Sequence, residues 1–541
     1  MPPSTLLRLA SIASALPVLV SGAIPQAQHP LNYGGHRGGH HGDDGGRGSH
    51  FRCDPYPPLD PSDDGLASSK DVFSGIEAID LLVKRHQPLV QMPSICYDDL
   101  GDFDEDPRWK PFHDIPPILQ ETYPNVDRYA TVELINRFGL IYTVAGSDAN
   151  LSPILLTAHQ DVVPTTGYLY GRGASDDKSA ITAIMSAMEA LLEQPEYKPR
   201  RTVDFAFGFD EECSGARGAA SMSKHLEERY GEVGIAVILD EGGAGLQKVD
   251  DVLYALPAVY EKGYLDVWFD ISTIGGHSSS PTPHTSIGMI SEILVALEAH
   301  PFQPHIDQGS PVHESLICLA RYSPHYIPQL THLVNAGRLD QLALLLSRIQ
   351  ETQYLIQTSQ AATEISGGQK INALPEFVSV GVNHRFAPHD SIGSIQHRAF
   401  EGDEDYKEYL ASQGLVSQGE LDASYGRVSY DGTLVLEARK KSYVIPQSPT
   451  SGPVWDVFAG TVRHTFADQA SRVVPAPGAM TGNTDTHHYL NLSKNIYQWG
   501  PGSLESFGNI YTINEKLKMS EHVNMAKFYY DFIHNFDQAD L

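Results

Sequence analysis

The chain has 541 residues, enough for more than one domain. Asp and Glu outnumber Lys and Arg by 67 to 38, for a net charge of -29. That balance argues against nucleic-acid binding, which needs a basic footprint, and suits a soluble protein in an acidic or extracellular setting.

Arg8, the apolar run from Leu9 to Val20 and the small residues Ser21-Gly22-Ala23 read as a secretory signal peptide over residues 1–23. The run is short for a membrane span, and an uncleaved signal anchor is the rival reading. No later stretch is apolar enough to cross a membrane. The sequons Asn150-Leu151-Ser152 and Asn491-Leu492-Ser493 agree with an extracellular protein; a vacuolar destination is the alternative. Residues 24–50, with Gly34-Gly35-His36-Arg37-Gly38-Gly39-His40-His41, form a leader whose composition predicts disorder. Its histidines read better as a solvated tail than as a loose metal site. Of the cysteines Cys53, Cys96, Cys213 and Cys318, the first two are candidates for a bridge in an oxidising compartment. Cys213 follows Glu212, which makes it either a thiolate ligand or, preferably, a small buried residue beside the site.

From about Phe51 the chain reads as folded. The spacing of Ile76, Ile79, Leu82 and Val83 predicts a helix over 75–86. Strands are expected at 153–158, 203–209 and 235–239, with helices at 178–192 and 218–230 between them. Strands alternating with helices predict an α/β domain with a mostly parallel sheet. From about Leu265 two alternating segments, 265–274 and 377–386, flank helical stretches at 287–297 and 342–352. They predict an inserted α+β lid. The expected organisation is a first part of the α/β domain over 51–262, the lid over 263–440 and the second part of the α/β domain over 441–541.

The chemistry gathers where these strands end. His159-Gln160-Asp161 follows the first strand, Asp210-Glu211-Glu212 the second and Asp240-Glu241 the third, while Asp176-Asp177-Lys178 opens the helix at 178. Ligands in open α/β sheets bind beyond the carboxyl ends of the strands, so these groups converge on one crevice. So many carboxylates around one histidine are costly unless something positive sits among them, and a divalent metal pair is the obvious candidate. His159 and Asp161 are two apart, so on extended backbone they face the same way, and the carboxylate can fix the imidazole tautomer. Gly171-Arg172-Gly173-Ala174 supplies a tight turn before Asp176. A phosphate loop fails as a rival because no Gly-Lys-Ser/Thr follows. Adjacent Glu211 and Glu212 cannot share one orientation; one can bind metal while the other takes a proton from water.

These residues resemble the co-catalytic zinc peptidases that include aminoacylase-1, succinyl-diaminopimelate desuccinylase and bacterial glutamate carboxypeptidase, and above all the carboxypeptidase S, or Gly-Xaa carboxypeptidase, branch. The resemblance rests on Leu156 to Pro164, Gly171 to Lys178, Asp210-Glu211-Glu212, Asp240-Glu241-Gly242, Gly275-Gly276-His277-Ser278-Ser279, Asn372-Ala373-Leu374-Pro375, Arg385 and Gly482-Asn483-Thr484-Asp485-Thr486. It implies that His159 and Asp240 bind one zinc, Asp176 bridges two and Glu212 binds the second. It further implies that Glu211 is the general base, that Asp161 orients His159, and that His277, Asn372 and Arg385 hold the substrate's carbonyl and free carboxylate. Some relatives dimerise through the lid, which implies a homodimer in which His277 reaches the partner's site. One position departs from the pattern. Where the resemblance expects a histidine ligand of the second zinc, in a stretch like Ile-His-x-x-Asn-Glu, the chain has Ile510-Tyr511-Thr512-Ile513-Asn514-Glu515. A phenol with a pKa near ~10 is a poor ligand at neutral pH; His487 or His488 are geometric substitutes.

The expectation is a secreted zinc carboxypeptidase acting on the C-terminal bond of short peptides, with two zinc ions per chain unless Tyr511 weakens the second site. Its alternatives are an aminoacylase for N-acyl amino acids and a catalytically impaired paralogue that binds peptide or metal.

Overall fold

The computed structural model describes residues 51–61, 64–163, 171–400, 432–510 and 514–541. The expected signal peptide and leader, and Tyr511, lie outside the described residues. Among those described, no helix is long and apolar enough to cross a membrane.

The strands of the main sheet are β1 (Thr131–Ile135), β2 (Gly139–Val144), β3 (Ile154–His159), β4 (Val203–Gly208), β5 (Val237–Val249), β6 (Val252–Ala255) and β7 (Ala258–Glu261). The lid and the return to the main sheet add β8 (Gly263–Thr273), β9 (Gly276–His277), β10 (Ser359–Gly367), β11 (Ala373–Leu374), β12 (Phe377–Phe386), β13 (Gly432–Ser442), β14 (Arg472–Pro475), β15 (Gly478–Met480) and β16 (Ile496–Ser503). The main sheet runs β1-β2-β4-β3-β5-β16-β7-β15, with β6 and β14 continuing off β5. Its centre, β4-β3-β5-β16, is parallel. Every residue of β3 and β4 is buried, as strands covered on both faces must be.

The principal helices are α1 (Gly75–Val90), α2 (Lys178–Leu192), α3 (Ala219–Tyr230), α4 (Ser286–Ala299), α5 (Pro311–Tyr322), α6 (Pro328–Asn335), α7 (Leu339–Leu346), α8 (Ile392–Phe400), α9 (Pro453–Thr465) and α10 (Met519–Gln538). Helix α2 is buried from Lys178 to Leu191. Its alanines at 180, 183, 187 and 190 leave room for α1 and α10, which pack against it.

The lid stretch divides by packing. Strands β10-β12-β8-β13 form a separate antiparallel sheet whose core joins Leu265, Val267 and Phe269 to Val378, Val380 and Val382. Between α4 and β10, helices α5 to α7 instead bury Leu316, Leu330 and Leu342 in the large core. The helix expected over 342–352 starts earlier and ends at Leu346; Gln350–Gln353 forms a separate turn. The disulfides also differ from expectation. Cys53 pairs with Cys318 on α5, and Cys96 pairs with Cys213. Spacing along the chain does not report which cysteines folding brings together, and Cys213 has no thiolate to offer a metal.

Where α1, α2 and α10 meet, Thr182 Oγ1 lies 3.0 Å from His86 Nδ1 and 3.1 Å from His522 Nε2. Burial lowers His86 to about 4 and holds His522 well below the ordinary imidazole value. Both are neutral in the folded protein at a pH where the unfolded chain is protonated, so stability is fully present above about 6.5 and declines as pH falls towards the folded values. For His86 the difference corresponds to about 3 kcal/mol. Thermal melts should therefore show Tm falling between pH 7 and 4.5, with a shallower slope in His522→Phe; an unchanged slope would contradict the assignment.

Candidate active site

Three parallel strands deliver the central groups. His159 is the last residue of β3 and pairs in register with Gly208 at the end of β4; it is 1% exposed. Its Nδ1 lies 3.0 Å from the backbone oxygen of Asp161 and 3.4 Å from Asp161 Oδ1. Its Nε2 lies 3.0 Å from Asp176 Oδ1, 3.6 Å from Glu241 Oε1 and 3.8 Å from Glu211 Oε2. Two overlapping groups result, His159 with Glu211 and Glu241, and His159 with Asp176 and Glu212; within each, the candidate ligand atoms lie within 4.8 Å of one another.

Asp161 does more than orient His159. Its two carboxylate oxygens accept the backbone N–H groups of Glu211 (3.2 Å) and Glu212 (3.1 Å). It thus fixes the turn Glu211–Cys213 that follows β4. Asp176 is set by the turn before it. Gly171 and Gly173 adopt φ of +63° and +78°, and a Cβ on Gly173 would lie 2.8 Å from Val162, so the chain needs glycine there. Glu515 closes that turn: Oε1 accepts from the N–H of Ser175 (2.8 Å) and of Asp176 (3.1 Å), while Oε2 pairs with Arg172 at 3.0 Å. Sequence reasoning placed Glu515 in the pattern around Tyr511 without giving it a role.

Of the expected metal ligands, His159, Asp176 and Glu212 come together with Glu211, but Asp240 does not. Strand β5 continues past the expected end at 239, to Val249. The Glu241 carboxylate is the one that approaches His159, at 3.6 Å, while the Asp240 carboxylate is taken up by hydroxyl and N–H donors. Asp240 Oδ1 accepts from Thr157 Oγ1 (2.5 Å) and the Glu241 N–H (2.9 Å), and Oδ2 from Thr484 (2.9 Å) and Thr486 (2.5 Å). Its oxygens are committed to holding strand and loop together. Glu241, rather than Asp240, is the carboxylate that joins His159 and Glu211 in the first group.

The loop 482–486 carries the same network outward. Thr484 also lies 2.5 Å from Glu261 Oε1. One hydroxyl has one proton for two carboxyls; burial raises Glu261 to about 8, so its carboxyl supplies the second proton. Asn483 donates to the Lys262 carbonyl at 2.8 Å and accepts from Arg385, whose guanidinium also sits 5.2 Å from the Tyr264 ring centre. Arg385, on lid strand β12, is thereby tied to the loop that braces Asp240. His277 lies elsewhere, in the exposed ribbon β9–β11, with Asn372 in the turn just before β11, where the Ser278 N–H donates to the Asn372 carbonyl at 3.1 Å. Among the described residues no hydrogen bond or ion pair joins them to the His159 cluster. His487 and His488 are engaged with the carbonyls of Thr484 (2.7 Å) and Ser214 (3.0 Å), and neither enters the two groups.

The electrostatics ask for a cation. Burial, then the charge of Glu241, pushes Glu211 well above the carboxylate range; burial, then Asp176, does the same to Glu212. Burial raises Glu241 to about 7. Burial opposes a charge on His159, yet Glu241, Asp161 and Asp176 together hold its pKa well above 6.5. Oxygen and imidazole ligands packed this closely fit a divalent metal, whose charge removes the repulsion.

A model of peptidase family M20/M25/M40 matches residues 155–535. The chain is 34% identical over 529 residues to carboxypeptidase S of Saccharomyces cerevisiae, covering 90% of this chain and 89% of that one. It is 30% identical over 450 residues to an N-fatty-acyl-amino acid synthase/hydrolase of Homo sapiens, covering 77% and 81%. Human carnosine dipeptidase 1 shares the fold, with a TM-score of 0.61 at 14% identity over 89% of this chain and 100% of that one. The chain belongs to peptidase family M20/M25/M40, in its carboxypeptidase S branch.

Proposed function

We propose that the protein is a secreted zinc carboxypeptidase that removes the C-terminal residue from short Gly-Xaa peptides. The observation that carries this reading is the placement of Asp176, Glu211, Glu212 and Glu241 around the buried His159, with Arg385 held at the lid edge. A divalent cation bound there supplies Lewis acidity and lowers the pKa of a water molecule towards ~7. Glu211 accepts the proton of the attacking water and returns it to the leaving amine. Asp161 positions both Glu211 and His159. Arg385 presents a planar fork suited to the two oxygens of a substrate carboxylate. Exposed Asn150 and Asn491 are accessible to glycosylation, in keeping with secretion.

Release of leucine from an N-blocked Gly-Leu dipeptide should be abolished by a chelator and restored by zinc. Glu211→Gln should lower kcat about 10²–10⁴-fold with little change in KM, the range expected when a general base is removed. Arg385→Lys should mainly raise KM, because an ammonium cannot reproduce a bidentate grip. Chelator-insensitive release, or an active Glu211→Gln enzyme, would refute the reading.

A second substrate class, N-acyl amino acids, is favoured by an apolar pocket that includes Gly243, two residues beyond Glu241. Leu316, Leu319, Leu346, Leu355 and Met480 also line it, with helices α5 and α7 supplying three of the leucines. It offers an alkyl chain an apolar surface that begins two residues along β5 from Glu241. On this reading Leu316→Trp should slow hydrolysis of a long-chain N-acyl leucine while sparing the blocked dipeptide. Equal effects on both substrates would remove the pocket from the account.

A further inference from the structure

The turn that carries Glu211 and Glu212 has little packing to hold it. It is three residues of 3-10 helix with no buried residue, followed by Ser214 in the left-handed region at φ +81°. Two anchors hold it to the β3 side of the site. One is the Asp161 carboxylate, which receives the N–H groups of Glu211 and Glu212. The other is the Cys213 sulfur, bonded to Cys96.

Cys96 is itself stitched to the segment that carries Asp161. Its N–H donates to the Val162 carbonyl at 3.0 Å, and the Val162 N–H donates to the Ser94 carbonyl at 3.0 Å. Ser94 Oγ donates to the Gln160 carbonyl at 2.7 Å. Cys96 is 2% exposed, so its end of the bridge is fixed. The bridge therefore closes a ring running from Cys96 through Val162 and Asp161 to Glu212 and Cys213. Without the sulfur bond the turn keeps, on the β3 side, only the exchangeable pair of hydrogen bonds to the Asp161 carboxylate, with the contact of His488 to the Ser214 carbonyl on its other side. The second disulfide, Cys53–Cys318, ties the start of the described chain to α5, away from this ring.

We propose that the Cys96–Cys213 disulfide is a positioning element for the Glu211–Glu212 turn, and that turnover requires it to be oxidised. Reduction by two external thiols breaks the S–S bond, leaves Cys96 and Cys213 each as a thiol, and converts the two external thiols into their own disulfide. Small displacements of reacting groups carry large rate penalties, so the freed turn loses rate before the fold is lost. The enzyme is then competent only where thiols are scarce. The inference rests on the carboxypeptidase reading for its activity measurement.

The test compares two double variants, Cys96→Ser/Cys213→Ser and Cys53→Ser/Cys318→Ser, on the N-blocked Gly-Leu dipeptide. Both should melt lower than the native protein. The first should lose at least tenfold in kcat with KM within about threefold, and should retain less zinc after dialysis because Glu212 moves with the turn. The second should keep kcat within about twofold. A folded first variant with native kcat, or equal losses in both variants, would overturn the proposal. If the first variant does not fold, the native protein is treated with a phosphine reductant and alkylated over time. Activity should then disappear in step with alkylation of Cys96 and Cys213, and activity that outlasts it would overturn the proposal. If the native protein does not cleave the dipeptide at all, the substrate reading fails, and zinc retention alone decides whether the bridge positions the turn.

Discussion

Mutual repulsion among buried carboxylates is the constraint on which the site depends. Asp176, Glu211, Glu212 and Glu241 converge on one imidazole, and without a cation burial drives the two glutamates of the turn towards their neutral forms. A protein can keep such a cluster only if its backbone is fixed firmly enough that the acids cannot move apart. The parallel centre of the sheet does this, since β4, β3 and β5 end side by side with every residue of β3 and β4 buried. The fold holds the acids together, and a bound metal relieves their repulsion.

Fixing those strand ends takes a further layer of acids that do not face the metal. Asp161 spends its carboxylate on two N–H groups of the Glu211–Glu212 turn. Glu515, from near the end of the chain, does the same for Ser175 and Asp176. Asp240 binds Thr157 on β3 and Thr484 and Thr486 of the late loop. Gly208 and Gly215 make room for Asp485 in that loop: a Cβ at either position would come within 2.5 Å or 2.2 Å of its carboxylate. Parts of the chain hundreds of residues apart thus close on one point.

Much of this was legible in the sequence because it rests on local pattern. The helix over 178–192 and the strand over 377–386 follow directly from periodicity, and the strand-end rule places His159, Asp176, Glu211 and Glu212 in one crevice. What escaped depends on geometry that short patterns do not encode. Choosing between Asp240 and Glu241 requires knowing that Thr157, Thr484 and Thr486 occupy the Asp240 oxygens. Two of those threonines lie 244 and 246 residues along the chain from Asp240, beyond the reach of a short pattern. Cysteine pairing and the packing of α5 to α7 into the large core are both matters of contact between distant segments. The role of Glu515 was hidden for the same reason, its partners lying 339 and 340 residues away.

We propose that Glu241, and not Asp240, completes the metal cluster. The direct test is the zinc content of purified Glu241→Ala protein after dialysis, measured beside the native protein. The account predicts that the variant stays folded, loses about one zinc per chain and does not turn over blocked Gly-Leu. A Glu241→Ala protein that keeps its full zinc complement would contradict it and return Asp240 to the role of ligand.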